Sequence, residues 1–208
     1  PASTFTMGTP NDLMVGRYGD GWYVNQTPTR SVRLSAFALD RREVTVRQFA
    51  RFLSYACGTI CFDGRMPIET SGDGYLPKEG TEDLPISWVD WRSAHWYCQW
   101  AGKRLPTEAE WERAAAGENT RPWPWGDAYG PRCTVASHSF DGGRCAHAVQ
   151  SVTSRAEGAT DDGINNLSGN VAEWAHDWYA PYGAEDAENP KGPENGVHRV
   201  VRGGSFLT

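Results

Sequence analysis

The spacing of apolar residues predicts a helix that begins after Thr45. The side-chain oxygen of Thr45 can accept a hydrogen bond from a free backbone N–H of the first helical turn. Apolar residues then recur at helical spacing, which is typical of a helix with one buried face. They are Phe49, Phe52, Leu53 and Ala56. Cys57 and Gly58 are expected to end this helix.

Two more helices are predicted in the following 60 or so residues. The first runs from about Asp90 to Ala101, and Gly102 ends it in the left-handed conformation. The second begins with a capping box formed by Thr107 and Glu110, and Gly117 closes it. Their apolar stripes are Ala94, Tyr97, Cys98 and Ala101 in the first helix, and Trp111, Ala114 and Ala115 in the second.

Strand patterns are weaker than helical ones. Ser31 to Leu39 alternates in part between apolar and polar residues and predicts a strand, and Val197 to Phe206 predicts the last strands. Residues 63–83 are rich in glycine, proline and acids without a sustained period, so they are interpreted as a long surface loop. Turns are expected to dominate residues 121–160.

The composition favours one domain with an aromatic core. The chain has 208 residues, and no break in composition indicates a second domain. Ten Trp, eight Tyr and seven Phe concentrate apolar burial in a few large side chains. The 23 Gly and 13 Pro are spread along the chain, so much of the backbone must form turns. A helical bundle and a doubly wound sheet are therefore not expected.

The net charge of −6 comes without any run of Lys and Arg, so neither nucleic acid nor an anionic membrane is an expected partner. No stretch approaches the roughly 20 apolar residues of a transmembrane helix. The first residues resemble the start of a mature domain, from which an upstream signal peptide or lipid anchor can have been removed.

The five cysteines form two close pairs and one single residue. Cys57 and Cys61, and Cys133 and Cys145, flank short glycine-containing loops, so we expect two disulfides and hence an oxidising compartment. A zinc site is the alternative, although neither pair has the C-x₂-C spacing. Cys98 lies in an apolar helical stripe and is expected to be a buried thiol.

Candidate catalytic groups are few. The acids Asp161, Asp162 and Asp177 could do acid–base work as a pair, but solvated turns commonly carry such acids. No G-x-S-x-G elbow and no glycine-rich phosphate loop occurs in the sequence. The histidines are scattered through different segments: His95, His138, His147, His176 and His198. We therefore assign no catalytic residue.

Five segments follow one another in a fixed order: FTMG at 5–8, KRLPTEAEWE at 103–112, PWGD at 124–127, NLSGNVAEW at 166–174 and RGGSF at 202–206. In this order they resemble the formylglycine-generating enzyme (sulfatase-modifying factor) family. The resemblance implies a single compact α+β domain over residues 1–208, with little regular secondary structure, few strands, two principal helices and a variant C-type lectin fold. It also implies a closing segment beyond residue 208.

The same resemblance implies a structural calcium ion. The side chains of Asn166 and Glu173 and the backbone carbonyls of Gly169 and Val171 are its expected ligands. Calcium takes six to eight oxygen ligands, and a turn can supply carbonyls beside an amide and a carboxylate. In the alternative interpretation, Glu173 pairs with a buried arginine and Asn166 caps the turn.

Members of the resembled family oxidise a substrate cysteine with oxygen and a copper ion held by two thiolates. The position that matches the first of these cysteines is Thr208, whose hydroxyl is a poor Cu(I) ligand. We therefore interpret the chain as an extracytoplasmic domain without the copper-binding cysteines, and copper is not expected. Its predicted role is that of a calcium-stabilised binding or scaffold module.

Two alternatives remain open at this point. One is an oxidase of the same family that generates formylglycine or modifies a peptide or small molecule. The other is a lectin-like protein that binds variable ligands. Trp22 and Thr208 are the candidate ligand contacts, and the expected partner is a protein, a peptide or a glycan.

Overall fold

The computed structural model describes residues 2–9, 24–72, 74–118, 120–126, 136 and 148–207. The α-helices in this part of the chain are α1 (Val46–Phe52), α2 (Trp91–Trp100) and α3 (Glu108–Ala116). The strands are β1 (Ser3–Met7), β2 (Arg30–Leu34), β3 (Ile68–Ser71), β4 (Gly74–Pro77), β5 (Glu173–Trp178), β6 (Ala187–Glu188) and β7 (Arg199–Arg202). This mixture of short helices and strands is the predicted α+β class. It contains one helix more than the resemblance implied.

The first sheet joins two strands from the first 34 residues to a short strand at 187–188. β1 and β2 pair antiparallel with Phe5 opposite Val32, and β6 pairs parallel to the other edge of β2. Because alternate side chains of a strand point to the same face, one face of this sheet is apolar. Its buried residues are Phe5, Met7, Val32 and Leu34, and Ala109 of α3 packs against them. Helix α3 therefore covers the sheet.

The second sheet is a hairpin of β3 and β4 in the region predicted to be a surface loop. Ile68 pairs with Pro77, and Ser71 pairs with Gly74. The loop prediction is wrong here. The sequence of the hairpin shows no alternation of apolar and polar residues, because only Ile68 is buried in β3. Contacts with α1 and the residues after it hold the hairpin in place, including a 2.9 Å hydrogen bond from Tyr75 N to Ser54 Oγ.

Helix α1 begins as predicted at the Thr45 cap. Thr45 Oγ1 accepts a hydrogen bond from Gln48 N, and the Gln48 side chain accepts one from Thr45 N, which completes a capping box. Its buried face packs on α2, with the rings of Phe52 and Tyr97 5.6 Å apart. The last predicted turn, Leu53–Cys57, is a π-helix, and Ser54 Oγ bonds back to Ala50 O within it.

The caps of α2 and α3 confirm the helix predictions. Asp90 accepts a hydrogen bond from Ser93 N at the start of α2. Thr107 and Glu110 form the predicted capping box of α3. In the predicted stripes, the structure buries Tyr97, Trp111 and Ala114 and leaves Ala94, Cys98, Ala101 and Ala115 partly buried.

The third sheet pairs β5 with β7, with Glu173 opposite Arg202 and an irregularity before Trp178. Only residues 199–202 of the predicted terminal strands are regular. The strand predicted from Ser31 to Leu39 likewise ends at Leu34. Strands β1 and β5 were not predicted.

One buried carboxylate connects these layers. Glu112 of α3 accepts a 2.6 Å hydrogen bond from Gly8 N, next to β1, and a 2.9 Å hydrogen bond from Arg202 of β7. The Tyr182 hydroxyl lies 3.0 Å from the same carboxylate and 2.9 Å from Glu108. Helix α3 is thereby attached to β1 and β7 by charge as well as by apolar packing.

The disulfide between Cys57 and Cys61 is present, with the two Cα atoms 5.7 Å apart. Cys133 and Cys145 lie outside the described residues, so their pairing stays a prediction. Within the described part of the chain, no helix has the length and apolar character needed to cross a membrane.

Replacement of Phe52 by alanine should lower the free energy of unfolding by about 3–5 kcal/mol, because it opens a cavity among buried rings. Tyr55→Ala is the matched control, since Tyr55 is 78% exposed and its loss should change the free energy of unfolding by less than about 0.5 kcal/mol. Urea unfolding of both variants measures the difference. Equal effects would contradict this description of the core.

Candidate calcium site and cavity

The segment from Asn166 to Glu173 forms a tight turn that leads into β5. Asn166, Gly169 and Asn170 have φ values of 61°, 93° and 59°. Asparagine is tolerated in this left-handed region far better than β-branched or bulky residues. The two asparagines and the glycine therefore make the turn possible.

A second turn, at 203–206, holds the first in place. Gly169 N donates a 2.8 Å hydrogen bond to Gly203 O, and Phe206 N donates a 3.0 Å hydrogen bond to Asn170 O. A Cβ atom on Gly203 would lie 3.6 Å from the carbonyl oxygen of Leu167 and 4.0 Å from that of Val171. Both carbonyls therefore lie close to Gly203.

Glu173 is the first residue of β5, and its carboxyl group is enclosed. Its Oε2 atom accepts a 2.7 Å hydrogen bond from Trp111 Nε1. Burial raises the pKa of Glu173 to about 7, and the hydrogen bond from Trp111 opposes this rise. Among the described residues, the buried Arg202 pairs with Glu108 and Glu112 and no arginine pairs with Glu173, so the structure does not support the alternative with a buried arginine.

Glu43, two residues before the cap of α1, is the site residue that the sequence analysis missed. Its Oε2 accepts a 2.7 Å hydrogen bond from Asn166 Nδ2, and its Oε1 accepts a 2.8 Å bond from Asn170 Nδ2. Burial raises the pKa of Glu43 to about 8, and the nearby charge of Glu173 adds to this rise. No local signal marks Glu43, because its partners lie more than 120 residues away.

These groups fit a hard cation. Two enclosed carboxylates repel each other, and no Lys, Arg or His within the described ranges forms an ion pair with either of them. The turn adds carbonyl oxygens and the Asn166 amide, which are ligands that calcium prefers. The predicted ligands Asn166, Gly169, Val171 and Glu173 all lie in this turn and its exit into β5, and Glu43 is hydrogen-bonded to Asn166.

A cavity of about 800 Å³ adjoins this site. Its lining includes both carboxylate residues, Glu43 and Glu173, and large apolar side chains. The apolar wall contains Leu39, Phe49, Tyr97, Trp174 and Phe206. The volume lies within the range of small-ligand sites, which is about 300–1,000 Å³.

The free thiol of Cys98 also lines the cavity. Burial raises the pKa of Cys98 to about 11, and the neighbouring charge of Asp40 adds to the shift. A thiol with this pKa is almost entirely protonated near neutral pH, so it is a weak nucleophile. Cys98 is partly rather than fully buried.

A separate aromatic cluster brings together two of the scattered histidines. The rings of His95 and His176 are 6.4 Å apart, and Trp91 stacks on His95 at 5.0 Å. The Arg199 guanidinium lies 3.6 Å from the ring centres of both Trp91 and Trp178. Burial lowers the pKa of His176, and the charge of Arg199 adds to that effect. The cluster joins α2 to β5 and β7.

Other candidate residues do not join the site. Asp161 is exposed and pairs with Arg121, Asp162 is exposed, and Asp177 is buried and accepts a hydrogen bond from Glu108 N. Trp22 and Thr208 lie outside the described residues.

The chain matches the sulfatase-modifying factor enzyme 1-like domain over residues 1–208 and belongs to this family. It is 33% identical to the formylglycine-generating enzyme of Thermomonospora curvata, with 100% of this chain and 81% of that protein covered. It is 30% identical to the inactive C-alpha-formylglycine-generating enzyme 2 of Mus musculus, with 100% and 73% covered. The family identified from the sequence motifs is thereby confirmed.

Among solved structures, Treponema denticola variable protein 1 superposes with a TM-score of 0.71. The match covers 100% of this chain and 82% of that chain at 21% sequence identity. This likeness confirms the predicted α+β family fold. The relation to C-type lectins stays a prediction.

Alkylation of native Cys98 near pH 8 should be more than about 100-fold slower than that of a free cysteine, because about 0.1% of a thiol with pKa 11 is ionised there. Mass-spectrometric mapping of iodoacetamide-treated protein measures the rate, with guanidinium-unfolded protein as the control. Rapid labelling in the folded state would contradict the assigned environment.

Proposed function

We propose that this domain is a calcium-stabilised binding module rather than a copper oxidase. The observation that carries the proposal is the pair of enclosed carboxylates, Glu43 and Glu173, without a compensating cation among the described residues. A buried charge without a partner is costly, and an ion that binds only the folded state stabilises that state. We assign the ion to the oxygens of Asn166, Gly169, Val171 and Glu173.

We exclude copper chemistry from the proposal because of the residue type at position 208. Thr208 occupies the position of the first copper cysteine of the resembled family, and a hydroxyl does not replace a thiolate as a Cu(I) ligand. Cys98 does not replace the missing pair, because it is a single free thiol among the described residues and the family's copper ion is held by two. With a hydroxyl at this position, the pair of thiolates that holds the family's copper ion lacks its first member.

We place the ligand in the cavity beside the ion. Its aromatic and aliphatic wall suits a partner with an apolar face, and aromatic rings pack well against either a peptide side chain or a sugar ring. The partner is therefore a protein, a peptide or a glycan. The disulfide between Cys57 and Cys61 supports an extracytoplasmic location, because such bonds persist in oxidising compartments.

Calcium at about 100 times its dissociation constant should raise the melting temperature by about 5–10 °C relative to protein in EDTA. Glu173→Gln should weaken calcium binding by about tenfold or more, because it removes a charged ligand. Glu79→Gln is the matched control, since Glu79 is an exposed carboxylate away from the site. Isothermal calorimetry measures the calcium affinity, and thermal melts measure the melting temperature. A wild type that neither binds calcium nor is stabilised by it would refute the proposal.

The calcium effect should also depend on pH. The pKa of Glu43 is raised above its unfolded value of about 4.3, so without calcium the stability should fall as pH rises from about 5 to about 8. Calcium replaces the proton as the compensating charge, so the difference in melting temperature between calcium and EDTA should grow over this range. Thermal melts in calcium and in EDTA across this pH range test the prediction. A difference in melting temperature that shrinks as pH rises would contradict it.

The second candidate function is the oxidase, which the 33% identity to the enzyme of Thermomonospora curvata favours. We expect no oxygen consumption when the purified domain is supplied with Cu(I) and a cysteine-containing peptide, because Thr208 provides no thiolate. An oxygen electrode makes the measurement, and the Thermomonospora curvata enzyme is the positive control. Copper-dependent consumption would replace the binding proposal with the oxidase.

A further inference from the structure

We infer that Glu43 is a positioning residue for the calcium ion, which turns the amide of Asn166 so that its oxygen is left for the metal. This inference rests on the calcium site proposed above and goes beyond it by adding a residue from the other half of the chain. It is argued from which groups donate and which accept in the hydrogen bonds among three side chains: Glu43, Asn166 and Asn170.

The amide of Asn170 has a fixed orientation. Its Oδ1 accepts a 2.9 Å hydrogen bond from Gln150 N, and its Nδ2 donates a 3.2 Å hydrogen bond to Gln150 O. A rotated amide would place donor against donor and acceptor against acceptor. Asn170 is buried, with 1% of its surface exposed, so lost bonds are not replaced by water. It therefore always presents an N–H to Glu43 Oε1.

Asn166 lacks this backbone constraint on its oxygen. Its Nδ2 donates to Glu43 Oε2 at 2.7 Å and to Val152 O at 3.4 Å. In the described part of the chain, no donor contacts Asn166 Oδ1. When calcium replaces its proton, the carboxylate of Glu43 can only accept hydrogen bonds. It therefore selects the orientation in which the NH₂ group of Asn166 faces Glu43 and the oxygen faces elsewhere.

A neutral amide at position 43 would change this selection. In Glu43→Gln, the amide at position 43 has only one acceptor oxygen. This oxygen must accept the hydrogen bond from Asn170, whose orientation is fixed, so the new NH₂ group faces Asn166. Asn166 would then rotate to accept from it, which directs the Asn166 oxygen away from the ion. Substitutions of residues that orient metal ligands typically cost about 10–100-fold in metal affinity, and we expect a loss of that size.

The double variant Glu43→Gln with Asn166→Asp tests this mechanism. The new carboxylate at position 166 has two acceptor oxygens, so one can take the hydrogen bond from the new amide at position 43 while the other remains for calcium. The total charge of the site equals that of the wild type. The double variant should therefore recover about tenfold or more of the affinity lost in Glu43→Gln. A role of Glu43 in folding alone predicts no such recovery.

Calorimetry with calcium measures the affinities of the wild type, Glu43→Gln, the double variant and the Glu79→Gln control. Terbium in place of calcium provides an independent spectroscopic readout. Trp111 is hydrogen-bonded to Glu173, so its indole ring can sensitise the luminescence of a terbium ion bound at the site. Loss in the single variant with recovery in the double variant supports the inference. Equal affinity of the wild type and Glu43→Gln, or loss without recovery, overturns it while the calcium site stands.

A wild type that does not bind calcium overturns both the site and this inference. Circular dichroism in EDTA checks the fold of each variant. If Glu43→Gln alone does not fold, the folded double variant decides: calcium binding within about tenfold of the wild type supports the inference, and absence of binding overturns it.

Discussion

The buried ion pair between Glu112 and Arg202 is the contact on which the arrangement of this domain depends. Its regular elements are short, so backbone pairing alone links few of them. Glu112 receives the Gly8 N–H and the Arg202 guanidinium, and this joins β1, α3 and β7. Removal of one partner from such a pair leaves an uncompensated buried charge, which is far more costly than loss of a surface ion pair. The first sheet, the central helix and the last sheet are therefore held as one unit.

In the candidate calcium site, as at Glu112, carboxylates connect segments that are far apart in the sequence, but no cationic side chain among the described residues pairs with them. Glu43 joins the start of α1 to the turn at 166–170 through two amide hydrogen bonds, and Glu173 joins β5 to Trp111. Glu112 has Arg202 as its cation, whereas no cationic side chain pairs with Glu43 or Glu173 within the described residues. This difference in charge balance, rather than the number of acidic residues, is what points to a bound ion.

The fold by itself does not decide the chemistry of the family. Relatives of similar identity bear the names of a formylglycine-generating enzyme and of an inactive one. A shared fold supports different functions through different residues at the same place. In this chain the binding proposal rests on Thr208 at the position of a family thiolate and on the turn at 166–173 beside a cavity with an apolar wall.

The sequence by itself determined the helices, the cap at Thr45, the capping box at Thr107, and the family. Helix caps and helical periodicity act within a few residues, so they can be read directly from the chain. Only the tertiary structure decided the β3–β4 hairpin, the pairing of β5 with β7, and the position of Glu43 beside Asn166. These features depend on contacts between segments far apart in the sequence, and a single exposed-looking glutamate carries no local sign of the two amides that it meets.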